Sequence, residues 1–241
     1  METKDQIIFA IGGGELGDYE TLPIDKKIVE AADAQRIRKR GKVKALFIPT
    51  ASEDDPEYCE TFEQVYARSL WCNTDILYLY GKAQTKAAIR RQIEWCDMVY
   101  VGGGSTPAMM KMWRKYEVDK CLRRVWKQGT VMAGLSAGAV CWFKYALSDA
   151  YVGRWTTVSC LGFINRACNV HYSSEKGRKK AFDGLVKRKK ITGIALDDNT
   201  CIKITNNSYE ILKSDDNATA YWVTPDRGKA GRTEVDGWGE L

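Results

Sequence analysis

The segment Thr130-Val-Met-Ala-Gly-Leu-Ser136-Ala-Gly-Ala-Val140 joins a short apolar run to a serine set among small residues. Gly134-x-Ser136-x-Gly138 is the G-x-S-x-G pattern of a nucleophile elbow. Such an elbow holds its Ser on a sharp strand-to-helix turn, where only small neighbours fit the cramped backbone. The N–H groups that open the next helix, Ala137 first, then face any oxyanion formed at the Ser. A nucleophilic Ser also needs a base within hydrogen-bond reach and an acid to orient that base. His171 is the only histidine of the chain and therefore the one imidazole candidate. Three acids compete for the third place: Asp149, Glu175 and the pair Asp197/Asp198. Asp149 would give the Ser-Asp-His order of α/β-hydrolases. Asp197 or Asp198 would stand at the carboxyl end of an apolar strand, where strand ends gather, and has the better geometric support.

A sheet must position these residues. Gln6 to Ile11 is an apolar run, as in a buried parallel strand, and it ends in Gly12-Gly13-Gly14. An amphipathic helix over Ile24 to Arg40 precedes a second strand, Lys42 to Pro49, and a helix from Pro56 to about Leu70. Asp75 to Tyr80 and Asp97 to Val101 are the next strands, with Thr85 capping the helix between them. Gly102-Gly103-Gly104 closes the fourth strand. A helix after Ser105-Thr-Pro107 and another over Val118 to Gln128 lead to the Ser136 strand, and a helix-like stretch, Val140 to Ala146, follows. This alternation predicts an α/β fold, a doubly wound, mainly parallel sheet with helices on both faces and a site at the strands' carboxyl ends.

Beyond the elbow, Val152 to Ile164 is broken and polar, Lys176 to Lys190 reads as a basic helix and Ile191 to Leu196 as another apolar strand. Segments beginning at Cys201, Tyr209 and Ala220, separated by Asn- and Asp-rich turns, read as an antiparallel β meander. Arg227 to Leu241 is Gly-rich and polar, a loose tail. No shift in composition marks a linker, so residues 1–241 form one expected domain.

Neither glycine run fits G-x-G-x-x-G, and no Gly-Lys-Ser/Thr occurs, so no nucleotide cofactor is expected. Bare backbone suits close approach instead. The N–H of Gly103 or Gly104 is well suited to be a second oxyanion donor beside Ala137; for Gly12–Gly14 a left-handed turn is as good a reading. The net charge of +6 is modest, and its basic clusters read as solvated helix faces without a nucleic-acid module. The 8 Cys are scattered without C-x-x-C pairs, which predicts reduced, mostly buried thiols and no metal site. The start of the chain lacks a signal-like segment, and no apolar run nears the roughly 18 residues of a membrane helix. The expectation is a soluble, cytoplasmic protein with no membrane partner.

Several stretches together resemble the peptidase S51 family, which includes peptidase E (aspartyl dipeptidase) and cyanophycinase. They are Ile8-Phe-Ala-Ile-Gly-Gly-Gly-Glu15, Val43 to Pro49, Val99-Tyr-Val-Gly-Gly-Gly-Ser105, Gly134-Leu-Ser-Ala-Gly-Ala139, the His171-Tyr172 region and Gly193-Ile-Ala-Leu-Asp-Asp-Asn-Thr200. The resemblance covers nearly the whole chain. It implies a class I glutamine amidotransferase-like fold and peptide hydrolysis through a Ser-His-Glu triad. Carried over, Ser136 is the nucleophile, His171 the general base, and the family's Glu falls at Asp198, one methylene shorter. Gly104, or else Gly103, supplies the oxyanion donor beside Ala137. Arg178 matches an Arg that binds the acidic side chain of aspartyl dipeptides, for which a guanidinium is suited. The implied partner is a small peptide substrate, with a homodimer reasonable. A cyanophycinase-like β-aspartyl hydrolase and an inactive ligand-binding relative are the rival readings.

Overall fold

The computed structural model describes residues 4–36, 41–81, 84–151, 154–226 and 229–241. Chain order gives β1 (Ile7–Ile11), α1 (Leu22–Gln35), β2 (Lys44–Ile48), α2 (Pro56–Phe62) continued by a π-helical stretch (Glu63–Ser69), β3 (Asn73–Ile76), α3 (Lys86–Trp95), β4 (Met98–Val101), α4 (Thr106–Tyr116), α5 (Val118–Lys127), β5 (Val131–Leu135) and α6 (Ala137–Val140). It continues through β6 (Phe143–Tyr151), β7 (Arg154–Ser159), β8 (Ile164–Asn169), α7 (Arg178–Lys189), β9 (Gly193–Leu196), β10 (Thr200–Thr205), β11 (Ser208–Lys213), β12 (Ala220–Asp226), β13 (Lys229–Val235) and β14 (Trp238–Glu240).

The first sheet runs β14-β11-β10-β1-β5-β4-β2-β3. Its strands β1, β5, β4, β2 and β3 are parallel neighbours, while β10, β11 and β14 extend it antiparallel. Alternation along β1 explains why helices cover both faces. Phe9 and Ile11 pack with Ile24 and Ile28 of α1 and Phe62 of α2. Ile8 and Ala10 face the opposite layer, with Ile93 of α3, Met109 and Trp113 of α4 and Leu122 of α5. A strand buried on both faces reads as a continuous apolar run, which is why this sheet is visible in the sequence.

The second sheet runs β13-β12-β9-β8-β6-β7. One face shares the core of α3–α5 through Ala146, Cys168, Ile194 and Ala220. The other face packs Leu147, Ala167 and Ala195 under Phe182, Leu185 and Val186 of α7. Three expectations change here. The helix after the elbow ends at Val140, and Phe143–Tyr151 is a strand between β7 and β8: Ala146 packs in the core on one face of the sheet, while Leu147 and Tyr145 pack on the other, the period-2 arrangement of a strand and not a helical stripe. Within the polar 152–164 stretch, Arg154–Ser159 forms the sheet's edge, its polarity suiting solvent on one side. The expected loose tail, 227–241, instead supplies β13, paired along β12 from Ala220↔Val235 to Asp226↔Lys229, and β14 on β11; positions 227 and 228 lie outside the described residues. The antiparallel strands after β9 are thus divided between the sheets.

All 8 cysteines are unpaired. Burial pushes the Cys160 thiol up to about 12 and the Cys72 thiol up to about 11, so both stay protonated and inert. Among the described residues no helix is long and apolar enough to cross a membrane.

Beneath the segment that joins β1 to α1, Asp25 is fully buried. Its Oδ2 accepts from Thr21 Oγ1 at 2.8 Å and its Oδ1 from Tyr66 Oη at 2.7 Å. Burial outweighs these donors and pushes the carboxyl up from 3.8 to about 6. The native state therefore holds a proton that the unfolded chain releases, and this contribution to stability fades as pH rises from about 4 through 6, by about 3 kcal/mol in total. Asp25→Asn keeps an acceptor for Tyr66 and offers an N–H to Thr21. Its stability, measured by urea titration, is expected to lack this loss between pH 4 and 7; a slope equal to that of the parent chain would assign the dependence to other groups.

Candidate active site

Three strand ends bring the chemistry together. Ile11 stands beside Leu135 in the β1–β5 pair and opposite Cys201 in the β1–β10 pair. Gly12 and Ser136 therefore emerge side by side, and Ser136 N–H donates to the Ile11 carbonyl at 3.0 Å. Ser136 adopts φ 55°, ψ −112°, a conformation a non-glycine residue rarely holds. The flanking glycines make that turn fit. A Cβ on Gly134 would press on the Gly138 backbone, and one on Gly138 would press on the Val101 backbone at the end of β4.

His171 lies just past β8. Its N–H donates to the Gly12 carbonyl at 3.1 Å, and the N–H of Tyr172 donates to Leu196 at the end of β9. Asp198 sits in the β9–β10 turn, fixed by Asn199 N–H donating to the Gly13 carbonyl at 3.0 Å. The side chains form one line: Ser136 Oγ is 2.8 Å from His171 Nε2, and His171 Nδ1 is 2.5 Å from Asp198 Oδ1. The hydrogen bond from His171 holds the Asp198 carboxyl below the ordinary range; partial burial opposes it, and Ser174 and the charges of His171 and Arg178 assist it. Asp198 is therefore a carboxylate at neutral pH.

Two of the rival acids are engaged elsewhere. Glu175 Oε2 accepts from Arg178 Nε at 2.9 Å and Nη2 at 2.6 Å, and Asp149 Oδ2 lies 3.5 Å from the same Nη2. Asp197 has a buried Oδ1 without a partner among the described residues. Arg178 lies apart from this line. Its side chain is 4% exposed, its Nη1 donates to Asn169 Oδ1 at 3.1 Å, and its guanidinium lies over the Trp155 ring. It ties the segment after β8 to Glu175 and Asn169, and its side chain lies outside the cleft wall.

Ser136 and His171 open into a cleft of 690 Å³, lined also by Gly14, Glu15, Leu16, Glu20, Tyr58, Thr61, Gly103, Leu135, Asp198 and Asn199. Of the two candidate oxyanion glycines, Gly103 is in this wall. Gly104, at φ 129°, is turned against the Ala51 carbonyl. The Gly103 N–H donates to Tyr58 Oη at 3.2 Å.

Glycines 12–14 have more than a turn to make. A Cβ on Gly13 would stand 2.6 Å from His171 Nδ1 and closer still to Asp198 Oδ1. Sequence reasoning left Gly13 open because a glycine run marks close approach without saying what approaches. It missed Tyr58, which sits in an unremarkable helix, and the acids Glu15 and Glu20. Glu15 had a signal, since it ends the Gly12-Gly-Gly-Glu15 stretch.

This geometry defines a hydrolase with a serine at a strand-end elbow, and comparison with known proteins agrees. Residues 8–212 match the family model described as peptidase family S51. The uncharacterized peptidase YgaJ of Bacillus subtilis (strain 168) is 33% identical over 220 residues, which is 90% of this chain and 91% of that protein. The chain belongs to peptidase family S51 and is a serine-type peptidase. Its fold is similar to that of a peptidase from an acI-B1 Actinobacterium (TM-score 0.73, 14% identity, 98% of this chain and 96% of that one). It is also similar to a protein from Listeria monocytogenes EGD-e assigned as a peptidase E (TM-score 0.64, 18% identity, 88% and 99%).

Proposed function

We propose that the chain cleaves short peptides by covalent catalysis at Ser136, with His171 as general base and Asp198 as the acid that orients it. The observation that carries this reading is the unbroken line from Ser136 Oγ through both ring nitrogens of His171 to Asp198, at 2.8 and 2.5 Å. The missing methylene of Asp relative to the family's Glu is offset by bare Gly13, which lets the carboxylate come close. That contact argues against an inactive relative. Ser136 Oγ attacks the scissile carbonyl while its proton passes to His171 Nε2. The imidazolium, stabilised by Asp198, then protonates the leaving amine, and water releases the acyl group by the same path. The unpaired thiols suit a reducing compartment, and the reading includes action in the cytoplasm.

The cleft argues for small peptides without an acidic residue at the cleavage site. Its charged lining groups are Glu15, Glu20 and Asp198, besides His171, with no Lys or Arg among them. A substrate carboxylate meets like charge there, at a cost of about 1 kcal/mol or more per close pair, whereas a terminal ammonium or a basic side chain is attracted. The same lining favours a second reading, cleavage of β-aspartyl-arginine units with the guanidinium held near the glutamates. Dipeptides with N-terminal Asp, Glu, Ala or Arg, and β-aspartyl-arginine, separate these readings by amine release. The expected result is at least about tenfold higher kcat/KM for neutral or basic peptides than for acidic ones. Preference for N-terminal Asp would reject this specificity, and no turnover of any peptide would reject the activity.

A further inference from the structure

The glycine turn after β4 is shaped around Tyr58. Asp55 caps α2, its Oδ1 accepting from Tyr58 N–H at 2.7 Å, which fixes where the side chain starts. The ring meets Phe47 of β2 edge-on, with centroids 5.2 Å apart. A Cβ on Gly102 would stand 2.8 Å from Tyr58 Cε1, so the first glycine of the turn makes room for the ring. The second, Gly103, donates its N–H to the phenol oxygen at 3.2 Å. A Cβ on Gly103 would lie 3.4 Å from Ser136 Cβ, so this hydrogen bond is made beside the nucleophile, in the wall of its cleft.

The bond has a direction. The Gly103 N–H, one of the two glycine donors expected to face an oxyanion, is spent on Tyr58. The phenol accepts there and keeps its own proton, for which no acceptor is found among the described residues. Burial, with some help from the charges of Asp25 and Glu15, pushes the phenol up to about 12, against the opposing pull of Gly103. It is a neutral O–H donor over the whole working range. An N–H donated to a hydroxyl oxygen also polarises the O–H and strengthens the bond it gives.

We infer that Tyr58 is a catalytic residue: its O–H, backed by the Gly103 N–H, donates to the oxyanion of the tetrahedral intermediate alongside the Ala137 N–H. The inference rests on Ser136 being the nucleophile. In the addition step the Ser136 Oγ–C bond forms, the carbonyl π pair moves onto oxygen, and the Ser proton goes to His171. Tyr58 donates a hydrogen bond and keeps its proton. When the intermediate collapses, the pair returns, the C–N bond breaks and the amine takes the proton from His171.

Tyr58→Phe removes only the hydroxyl. The expected result is a fall in kcat of about 10²–10³-fold with KM changed little, as for loss of one oxyanion donor. A peptide aldehyde, which forms a tetrahedral adduct at the Ser, should lose affinity by the same factor, while affinity for a peptide product does not change. A purely structural tyrosine would not divide the two ligands in this way. Should Y58F melt below the assay temperature, site-specific 3-fluorotyrosine at 58 keeps the packing and acidifies the phenol, and aldehyde affinity should rise. Wild-type rates and aldehyde affinity in Y58F, faster turnover in it, or unchanged affinity with 3-fluorotyrosine would overturn the assignment and make Tyr58 a plug on Gly103. If the parent chain cleaves no peptide and binds no aldehyde, the peptidase reading itself fails, and this inference with it.

Discussion

Ser136→Ala is expected to lower kcat on any peptide the chain cleaves by about 10⁶-fold, the scale seen when a triad nucleophile is removed. The substitution deletes one oxygen at a half-buried position and leaves the backbone free to keep φ 55°, because the constraint comes from Gly134, Gly138 and the Ser136 N–H bond to Ile11. Thermal stability should therefore stay near that of the parent chain. What remains in the variant is water attacking a carbonyl held by the oxyanion donors, which leaves a small residual rate. An alanine variant that keeps more than a few per cent of the rate would place the nucleophile elsewhere.

Gly13→Ala is the second large effect, and it replaces no group that reacts. The new methyl would overlap Asp198 Oδ1 and stand 2.6 and 2.7 Å from His171 Nδ1 and Cε1. Ordinary contact needs about 3.4 Å or more, so the pair must move by roughly an ångström, and a displacement of that size costs about 10²-fold or more in rate. Gly13 has no positive φ to protect, so the loss comes from the side chains it faces and not from backbone strain. The expected outcome is kcat reduced at least about 10²-fold, with KM nearly unchanged and the far-UV circular dichroism of the parent. Full activity would mean that the Ser-His-Asp line relaxes freely, and the geometric argument for it would lose its force.

The first sheet and the elbow were legible because their chemistry is local. Buried parallel strands such as Ile7–Ile11 and Met98–Val101 read as apolar runs, and Ser136 carries its own glycines. The pairing of His171 with Asp198 was legible in part: strand-end reasoning favoured Asp197 or Asp198, and the resemblance chose between them. The second sheet was hidden. Phe143–Tyr151 begins with an apolar segment that suits helix or strand, and only its neighbours β7 and β8 decide. Lys229–Val235 is polar because it pairs at an edge, with only Val235 buried. The surroundings of Arg178 were hidden for a similar reason, since order along the chain could not show that Glu175 and Asn169 take up the guanidinium. Tyr58 was invisible because what distinguishes it is a hydrogen bond to a glycine 45 residues away.

Mass mapping after treatment with a peptidyl phosphonate tests Ser136 as the nucleophile most directly. One adduct per chain is expected, on the peptide containing Ser136, formed at a rate that falls with peptidase activity in Gly13→Ala and absent in Ser136→Ala. An adduct on another residue, or undiminished peptide hydrolysis in a chain fully modified at Ser136, would contradict that role.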